Sequence, residues 1–526
     1  MKVFFLNIPF HERYSRESRS PGVAPSGTLY YPIYLALAAG VTRKAGHTID
    51  FLDAPADKYS LEQSLDRILK FKPDLIVSTT VTASVCHDVR VMDSLSEKTG
   101  AMTMLCGTHA TARPVETLQM AKRLDFIAIG EYDFTIRAVA DHFQSGKTRE
   151  QLGEVLGLAY RHNGEFIRNA ERPMWEAMDE IPWASHIYRD YLKIENYSYG
   201  AQLHPEITIV GGRGCPYQCT YCVFPQTITG QRYRARSVND VVDEMEFILK
   251  TWPHNKEIMF EDDTMTLDKK RMREISEEIL RRGLKVTWSG NARADFEDVE
   301  LLKLMKKAGC RLFCVGFESS DQELLKNMKK GGATVKMQEK FVGACRQAGI
   351  LVHGCFLLGG TGETKETMRG TLEMAKRYNC DTAQFFPMMV YPGTRAYEEA
   401  KARGDLKNEN YENWLKDSGY YMSQVNRTGF TNDELTQFCD TALKEYYFRP
   451  VYLWSKIVQF AAQPRERSRI VNGAYYFIRK LMTMLKESRS RQPGDSGPGT
   501  GAGTSGAAAG SASSPANMSH VAKTPD

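Results

Sequence analysis

The chain has 526 residues, of which 42% are hydrophobic and 25% charged, the composition of a globular protein with room for two or three domains. A net charge of +5 is small for this length, and no dense Lys/Arg cluster marks a nucleic-acid partner, so none is expected. Eleven cysteines, an odd number standing mostly singly in apolar surroundings, argue for free thiols in a reducing cytoplasm and against a disulfide framework.

The opening run, MKVFFLNIPF, reads as a buried strand; it is too short for a secretory signal and ends at Asn7 and Pro9. No stretch reaches the roughly eighteen uninterrupted apolar residues of a membrane span. Up to residue 146, short apolar runs alternate with helical patterns, which predicts an α/β doubly wound parallel sheet, a Rossmann-like domain. Its strand ends, where such sheets bind ligands, carry Asn7, Asp53, Ser78 to Thr82, Gly107 to His109 and Gly130 to Tyr132. No G-x-G-x-x-G follows the first strand, so a dinucleotide is not expected. Residues 147–204 read as a linker with a small hairpin turning at Asn163-Gly164, followed by an extended stretch, MDEIPWASHIYRDYL. A second α/β domain, 205–425, repeats six strand–helix units and suits a partial TIM-type (β/α)6 barrel with functional groups at the strand C-termini. Residues 426–486 form a helical, basic region, read either as a cap over the open end of the barrel with a solvated basic face or as an amphipathic element on a membrane. The Gly/Ser/Ala/Pro-rich tail, 487–526, lacks core-forming side chains and is expected to be disordered.

Directly after the first strand of the second domain comes GGRGCPYQCTYCVFP, which places Cys215, Cys219 and Cys222 in C-x3-C-x2-C spacing. Three cysteines so close could be core thiols, a zinc site or an iron–sulfur site. Zinc normally takes four ligands, often in C-x2-C pairs, and no fourth Cys or His lies nearby in the sequence. Three thiolates on a four-iron cluster would leave one iron open to a substrate or cofactor.

This spacing, with Tyr221 just before the third cysteine, resembles the signature of the radical S-adenosylmethionine (SAM) superfamily. The resemblance extends over about 207–406 and continues at successive strand ends: Glu261, Asp262 and Asp263 in MFEDDTMT, Ser289, Asn291 and Arg293 in WSGNARAD, and Glu318 and Ser319 in VGFESSD. HGCFLLGGTGET, with Gly354 and Gly359, resembles the strand and turn that lie against adenine, although Thr361 stands where the family usually has proline. The family implies a [4Fe–4S] cluster on the three cysteines, SAM against the other residues, and reductive SAM cleavage to a 5′-deoxyadenosyl radical. A doubly wound domain before the barrel is similar to the cobalamin-binding subclass, in which methyl transfer to an unactivated carbon is the commonest outcome. On that resemblance Ser78, Thr79, Thr80, Gly107, Thr108, His109, Gly130 and Glu131 are the cobalamin candidates. The D-x-H-x-x-G ligand motif is missing, and His109 and His87 are the nearest substitutes by location. The implied partners are a small-molecule or lipid-like substrate and an electron donor such as flavodoxin or ferredoxin, with peripheral membrane contact allowed by the C-terminal helices. Rearrangement or cyclisation without methyl transfer, methylthiotransfer and a non-catalytic metal module are the competing readings.

Overall fold

Val3, Phe4, Phe5 and Leu6 have no exposed surface, so β1 (Lys2–Asn7) is covered on both faces, as its unbroken apolar run requires. β2 (Thr48–Asp53) and β3 (Leu75–Thr79) flank it in parallel, followed by β4 (Met102–Cys106) and β5 (Phe126–Ala128), in the order β2-β1-β3-β4-β5. This is the doubly wound order whose switch point lies between β1 and β3. The computed structural model describes residues 1–490 except 25, 408, 417, 418 and 421; the expected tail lies, from residue 491, outside the described residues. Residues Met1–Ile478 make one compact unit, and those from Arg479 belong to a second.

The hairpin β6 (Leu158–His162) and β7 (Glu165–Arg168) is not a free linker feature: β6 pairs antiparallel with β5 and extends the first sheet to seven strands. Its turn residues Asn163 and Gly164 have φ of 51° and 83°, as a two-residue hairpin turn of this hand demands. The stretch expected to be extended instead contains a helix, Ala184–Tyr191. At two turns it is too short to display a helical period, and what holds it is burial of Ile187 and Tyr188, with the Tyr188 ring 4.6 Å from Tyr31.

The second sheet is a partial barrel of six parallel strands in the order β15-β14-β13-β12-β11-β8. These are β8 (Glu206–Ile209), β11 (Glu257–Phe260), β12 (Trp288–Ala292), β13 (Cys310–Gly316), β14 (Leu351–Leu358) and β15 (Thr382–Pro387), and a short ribbon, β9 (Gly212–Arg213) with β10 (Arg234–Ala235), rises beyond β8. Alternation along the strands points Glu206, Met259, Ser289, Cys314, His353 and Cys355 inward. At the strand N-termini Arg311 bonds Glu257 at 2.9 Å, the Ala201 carbonyl at 2.6 Å and Glu466 at 3.1 Å, which closes the floor.

An incomplete barrel leaves two edges, β8 and β15, whose free N–H and C=O groups are a liability, and β15 shows how one is covered. Helix Asn432–Tyr447 covers it with tyrosines: the Tyr447 hydroxyl accepts from Ala383 N–H at 2.9 Å and donates to its carbonyl at 2.8 Å, and Tyr446 donates to the Cys380 carbonyl at 2.7 Å. Tyr447→Phe should therefore destabilise the barrel by about 1–3 kcal/mol, through two stranded backbone groups, read as a lowered urea midpoint.

Inside the barrel, burial pushes Glu206 up to about 8, and Glu257 and Glu261 add to the effect. The unfolded carboxyl ionises near 4.3, so the folded form keeps a proton that the unfolded chain sheds, and stability falls as pH rises from about 4.3 to 8. Glu206→Gln stays neutral; its Tm should gain on the wild type across that window and the difference should level off above it.

Candidate active site

The cysteine loop is lifted over the barrel mouth by the β9–β10 ribbon. Gly214 makes the turn at φ 92°; a Cβ there would lie 2.2 Å from the Arg232 carbonyl, so no other residue fits. Within the loop Cys222 N–H donates to the Cys219 carbonyl at 3.2 Å, and Cys215 N–H to Gly230 at 3.1 Å. The Gln226 amide donates to the carbonyls of Cys222 (2.7 Å) and Cys219 (3.2 Å), which fixes the loop from below. All three thiols are free and half-buried. Burial pushes Cys215 up to about 11 and Cys222 higher still, opposed by Arg293 beside the first and Arg19 beside the second. Thiols held protonated in this way release protons when they bind metal. Among the described residues no three His, Cys, Asp or Glu side chains converge as ligands of a single ion. Three thiols carried on one loop suit an iron–sulfur cluster, which cysteine thiolates commonly hold.

Around the loop stand the strand-end residues. Glu261 at the end of β11 pairs with Arg19, which reaches in from the first domain, also donating to the Glu261 carbonyl at 3.1 Å and to Asp263 at 3.3 Å. Burial raises the Glu261 pKa and Arg19 holds it back. Asp263 accepts from Gly214 N–H at 3.0 Å, and Asp262 from Gly211 N–H at 2.7 Å and the Tyr233 hydroxyl at 3.0 Å, so both carboxylates tie β11 to the cysteine loop. Asn291 donates to the Asp262 carbonyl at 3.2 Å. Arg293 lies 3.5 Å over the Tyr217 ring and pairs with Asp295 at 2.8 Å. Glu318 has a left-handed backbone, φ 67°, which a non-glycine residue holds at a cost of about 1–2 kcal/mol. Its carboxylate accepts from Tyr221 at 2.9 Å and Lys330 at 2.5 Å. Burial works against the charge on Lys330, but Glu318 outweighs it and the lysine pKa is raised.

Four candidates have other partners. Ser319 is buried against Thr371 and accepts from Asp321 N–H at 3.1 Å, a turn role facing helix Lys365–Tyr378. Gly354 faces Phe356 and Cys380, where a Cβ would come within 3.0 Å and 3.2 Å. Ser289 sits deeper in the barrel than the strand ends, beside Met259 and Gln202. Gly359 leaves β14 at φ 82°, packed against Leu435, with Arg427 on its carbonyl.

In the first domain the β1/β3 switch point is filled by protein. Arg16 is wholly buried there, bonded to Asp88 at 2.6 Å, Asn7 at 3.0 Å and the Ile8 carbonyl at 2.5 Å. Asp88 also takes the hydroxyls of Thr80 (2.9 Å) and Ser84 (2.6 Å), and His87 at 3.3 Å. Asp53 is satisfied by Asn7 and Tyr197. The Ser78 hydroxyl turns to the Thr79 carbonyl at 3.3 Å, and Gly130 N–H donates to Thr111 at 3.0 Å. What remains lies at β3 and β4: the Thr79 hydroxyl and His109 Nε2 are buried without a partner among the described residues. Burial, with Arg113, holds His109 down to about 3, so its ring is neutral, anchored through Nδ1 to Thr82 at 3.1 Å. Gly107, whose Cβ would meet the Thr80 carbonyl at 2.7 Å, and Thr108 open the short helix that carries His109. Unsatisfied buried polar atoms on adjacent strand ends fit a ligand that brings its own donors and acceptors.

Glu131 is committed to holding the domains together. Arg213 donates to Glu131 and Asp133, each at 2.8 Å, and Arg234 to Glu131 at 2.8 Å, with all four side chains at most 3% exposed. Arg113 bonds Glu398 at 2.7 Å, and Gly393 after β15 packs against Ala112 after β4. Every one of these contacts lies beyond the C-terminal ends of the strands of both sheets, so the two sets of strand ends face each other. Arg19, Arg213, Arg234, Tyr217 and Lys330 were not legible as site residues: Arg19 and Lys330 lie on loops with no motif, Arg213 and Arg234 on strands of two residues that show no alternation, and Tyr217 is a spacer residue between Cys215 and Cys219.

Comparison with known proteins agrees with this architecture. The radical SAM superfamily model matches residues 209–375 and the B12 binding domain model residues 19–140. An uncharacterized methyltransferase, PH0819 of Pyrococcus horikoshii, is 30% identical over 435 residues, 82% of this chain and 91% of its own. The anaerobic magnesium-protoporphyrin IX monomethyl ester cyclase of Cereibacter sphaeroides is 28% identical over 424 residues, 79% of this chain and 66% of its own. Among solved structures the radical SAM methyltransferase TsrM of Kitasatospora setae shares the fold, with a TM-score of 0.68 at 18% identity, over 86% of this chain and 89% of that one. The chain belongs to the radical SAM superfamily, in the branch that carries an N-terminal B12-binding domain. Its cofactors are a [4Fe–4S] cluster, SAM and cobalamin.

Removing one partner from a buried ion cluster strands the other charges. Arg213→Ala should cost about 3–5 kcal/mol, seen as a lowered Tm and faster limited proteolysis between the domains.

Proposed function

We propose that the protein is a cobalamin-dependent radical SAM methyltransferase acting on an unactivated carbon of a small or lipid-like molecule. The observation that carries this reading is the meeting of the two sets of strand ends, with Arg19 of the first domain beside Cys222 and on Glu261. A methyl donor held by one domain then shares a space with the radical chemistry of the other. The named relatives that are methyltransferases, including the cytidylyl-2-hydroxyethylphosphonate methyltransferase of Streptomyces wedmorensis at 25% identity, support the same outcome.

When bound, the cluster supplies the electron that cleaves SAM, and cobalamin supplies the methyl group. In this proposal Cys215, Cys219 and Cys222 hold the cluster, and the Gln226 amide keeps their loop rigid. Arg19, Arg293 and Lys330 surround that loop with positive charge, which offsets the negative charge of three thiolates. Glu261, the Asp262 carbonyl and Asn291 form the polar rim for SAM, with Tyr221 and Glu318 opposite. In the first domain Thr79, Gly107, Thr108 and His109 line the cobalamin side. Tyr30 and Tyr199, with ring centres 5.2 Å apart, and Cys355 line the barrel space below, where a substrate would be kept from water. A small reducing protein such as flavodoxin or ferredoxin would deliver the electron.

Protein purified without oxygen from cobalamin-supplied cells should show iron–sulfur and corrin absorption together, and should transfer label from methyl-labelled SAM to product. Cys219→Ala should lose SAM cleavage while keeping the corrin bands and the wild-type far-ultraviolet dichroism. Cleavage retained by that variant would remove the cysteines from the mechanism; a product gaining no label would remove methyl transfer.

A further inference from the structure

Helix Pro450–Ala462 is built inside out. The side chains it turns to the barrel are polar: Lys456 pairs with Asp381 at 2.6 Å, Gln459 donates to the same carboxylate at 2.9 Å, and the Tyr452 hydroxyl donates to the Asp381 carbonyl at 3.0 Å. The opposite face carries Val451, Trp454, Ile457 and Val458, exposed by 66%, 67%, 60% and 47%. A water-facing helix of a soluble domain shows the reverse arrangement. Residues 467–478 of the following helix return antiparallel to it, since Phe448 lies 5.5 Å from Phe477 and Arg467 donates to the Phe460 carbonyl at 2.8 Å. It adds Val471, Tyr475 and Ile478, spaced four and three residues apart and all more than half exposed. Among the described residues fourteen large apolar side chains are exposed, and ten of them lie between Phe448 and Ile478. So concentrated a patch marks a surface that something covers.

Charge and composition narrow what that is. Between 448 and 478 the charged residues are Arg449, Lys456, Arg465, Arg467 and Arg469 against one acid, Glu466, which is buried on Arg311 and Arg469. The charges left at the surface, Arg465 and Arg467, are therefore positive. Residues 493–526 contain only Met518 and Val521 as large apolar side chains, too few to match a patch of ten. Among the described residues no helix is long and apolar enough to cross a membrane, so the patch would lie on a bilayer and not in it. We propose that the helical hairpin, residues 450–478, seats the enzyme on an anionic lipid bilayer, with the apolar row in the acyl boundary and Trp454 and Tyr475 at headgroup level. The hairpin is anchored at the strand N-termini, through Asp381 and Arg311, so the seat leaves the cysteine end of the barrel free. The proposal stands on this surface alone and does not depend on the chemistry of the site.

The test is flotation of the full-length, cofactor-loaded protein with phosphatidylcholine vesicles, with and without phosphatidylglycerol. The wild type should float with the anionic vesicles, less with neutral ones, and less again at high salt. The double variant Trp454→Glu, Ile457→Glu should lower the bound fraction about tenfold while keeping wild-type Tm and SAM cleavage, since both side chains are exposed. A wild type that stays unbound, or a double variant that binds equally well, overturns the proposal. Light scattering that finds a wild-type dimer, made monomeric by the same substitutions, overturns it in favour of a second copy of the chain.

Discussion

The structure depends on one buried cluster of charge, in which Arg213 and Arg234 of the barrel hold Glu131 and Asp133 of the first domain. Buried ions are expensive, and such a cluster earns little net stability against an apolar equivalent. What it supplies is geometry. Its partners fit in one register, and that register brings the ends of β3 and β4 opposite the cysteine loop. Arg213 belongs to the ribbon directly before Cys215, so the residue that docks the domains also positions the loop that carries the thiols.

Arg19 extends the same logic into the site. It leaves the first domain, pairs with Glu261 and Asp263, and lies beside Cys222. Burial favours neutral forms of the carboxyl and the thiol alike, and a guanidinium that stays charged counters it for both. On the far side Lys330, with Glu318 and Tyr221, does comparable work, and Glu318 does so from a strained backbone that the loop after β13 enforces. Charge is thus balanced around the thiols by residues from three separate segments of the chain.

The barrel is stabilised where it is incomplete. Six strands leave β15 open, and tyrosine hydroxyls from helix Asn432–Tyr447 satisfy its backbone. The floor is closed by Arg311, Glu257, Glu466, Asp381, Lys456 and Arg469, which draws the polar residues of the last helices inward. The basic face expected in solvent is for that reason largely spent inside, and apolar residues stand outside.

The strands, their parallel direction and the cysteine loop were legible in the sequence because they rest on local signals: unbroken apolar runs, regular alternation with helices, and three thiols at fixed spacing. Glu261, Asp262, Asp263, Asn291 and Glu318 were legible for the same reason, as polar residues ending apolar strands. The helix at Ala184–Tyr191 was not, being too short to show its period, and neither was the hairpin's membership of the first sheet, which needs the β5 edge to pair with. Gly354 lies at a strand position that one residue of register turns away from the barrel interior, and Ser319 lies beyond the end of β13, where it serves the turn. The roles of Arg19, Lys330, Arg213 and Arg234 were set by tertiary structure alone. None of these residues sits on an element long enough to show a period; Lys330 meets Glu318 through the fold of one short segment, and the arginines meet carboxylates far away in the chain, which only the docking of two domains brings to them.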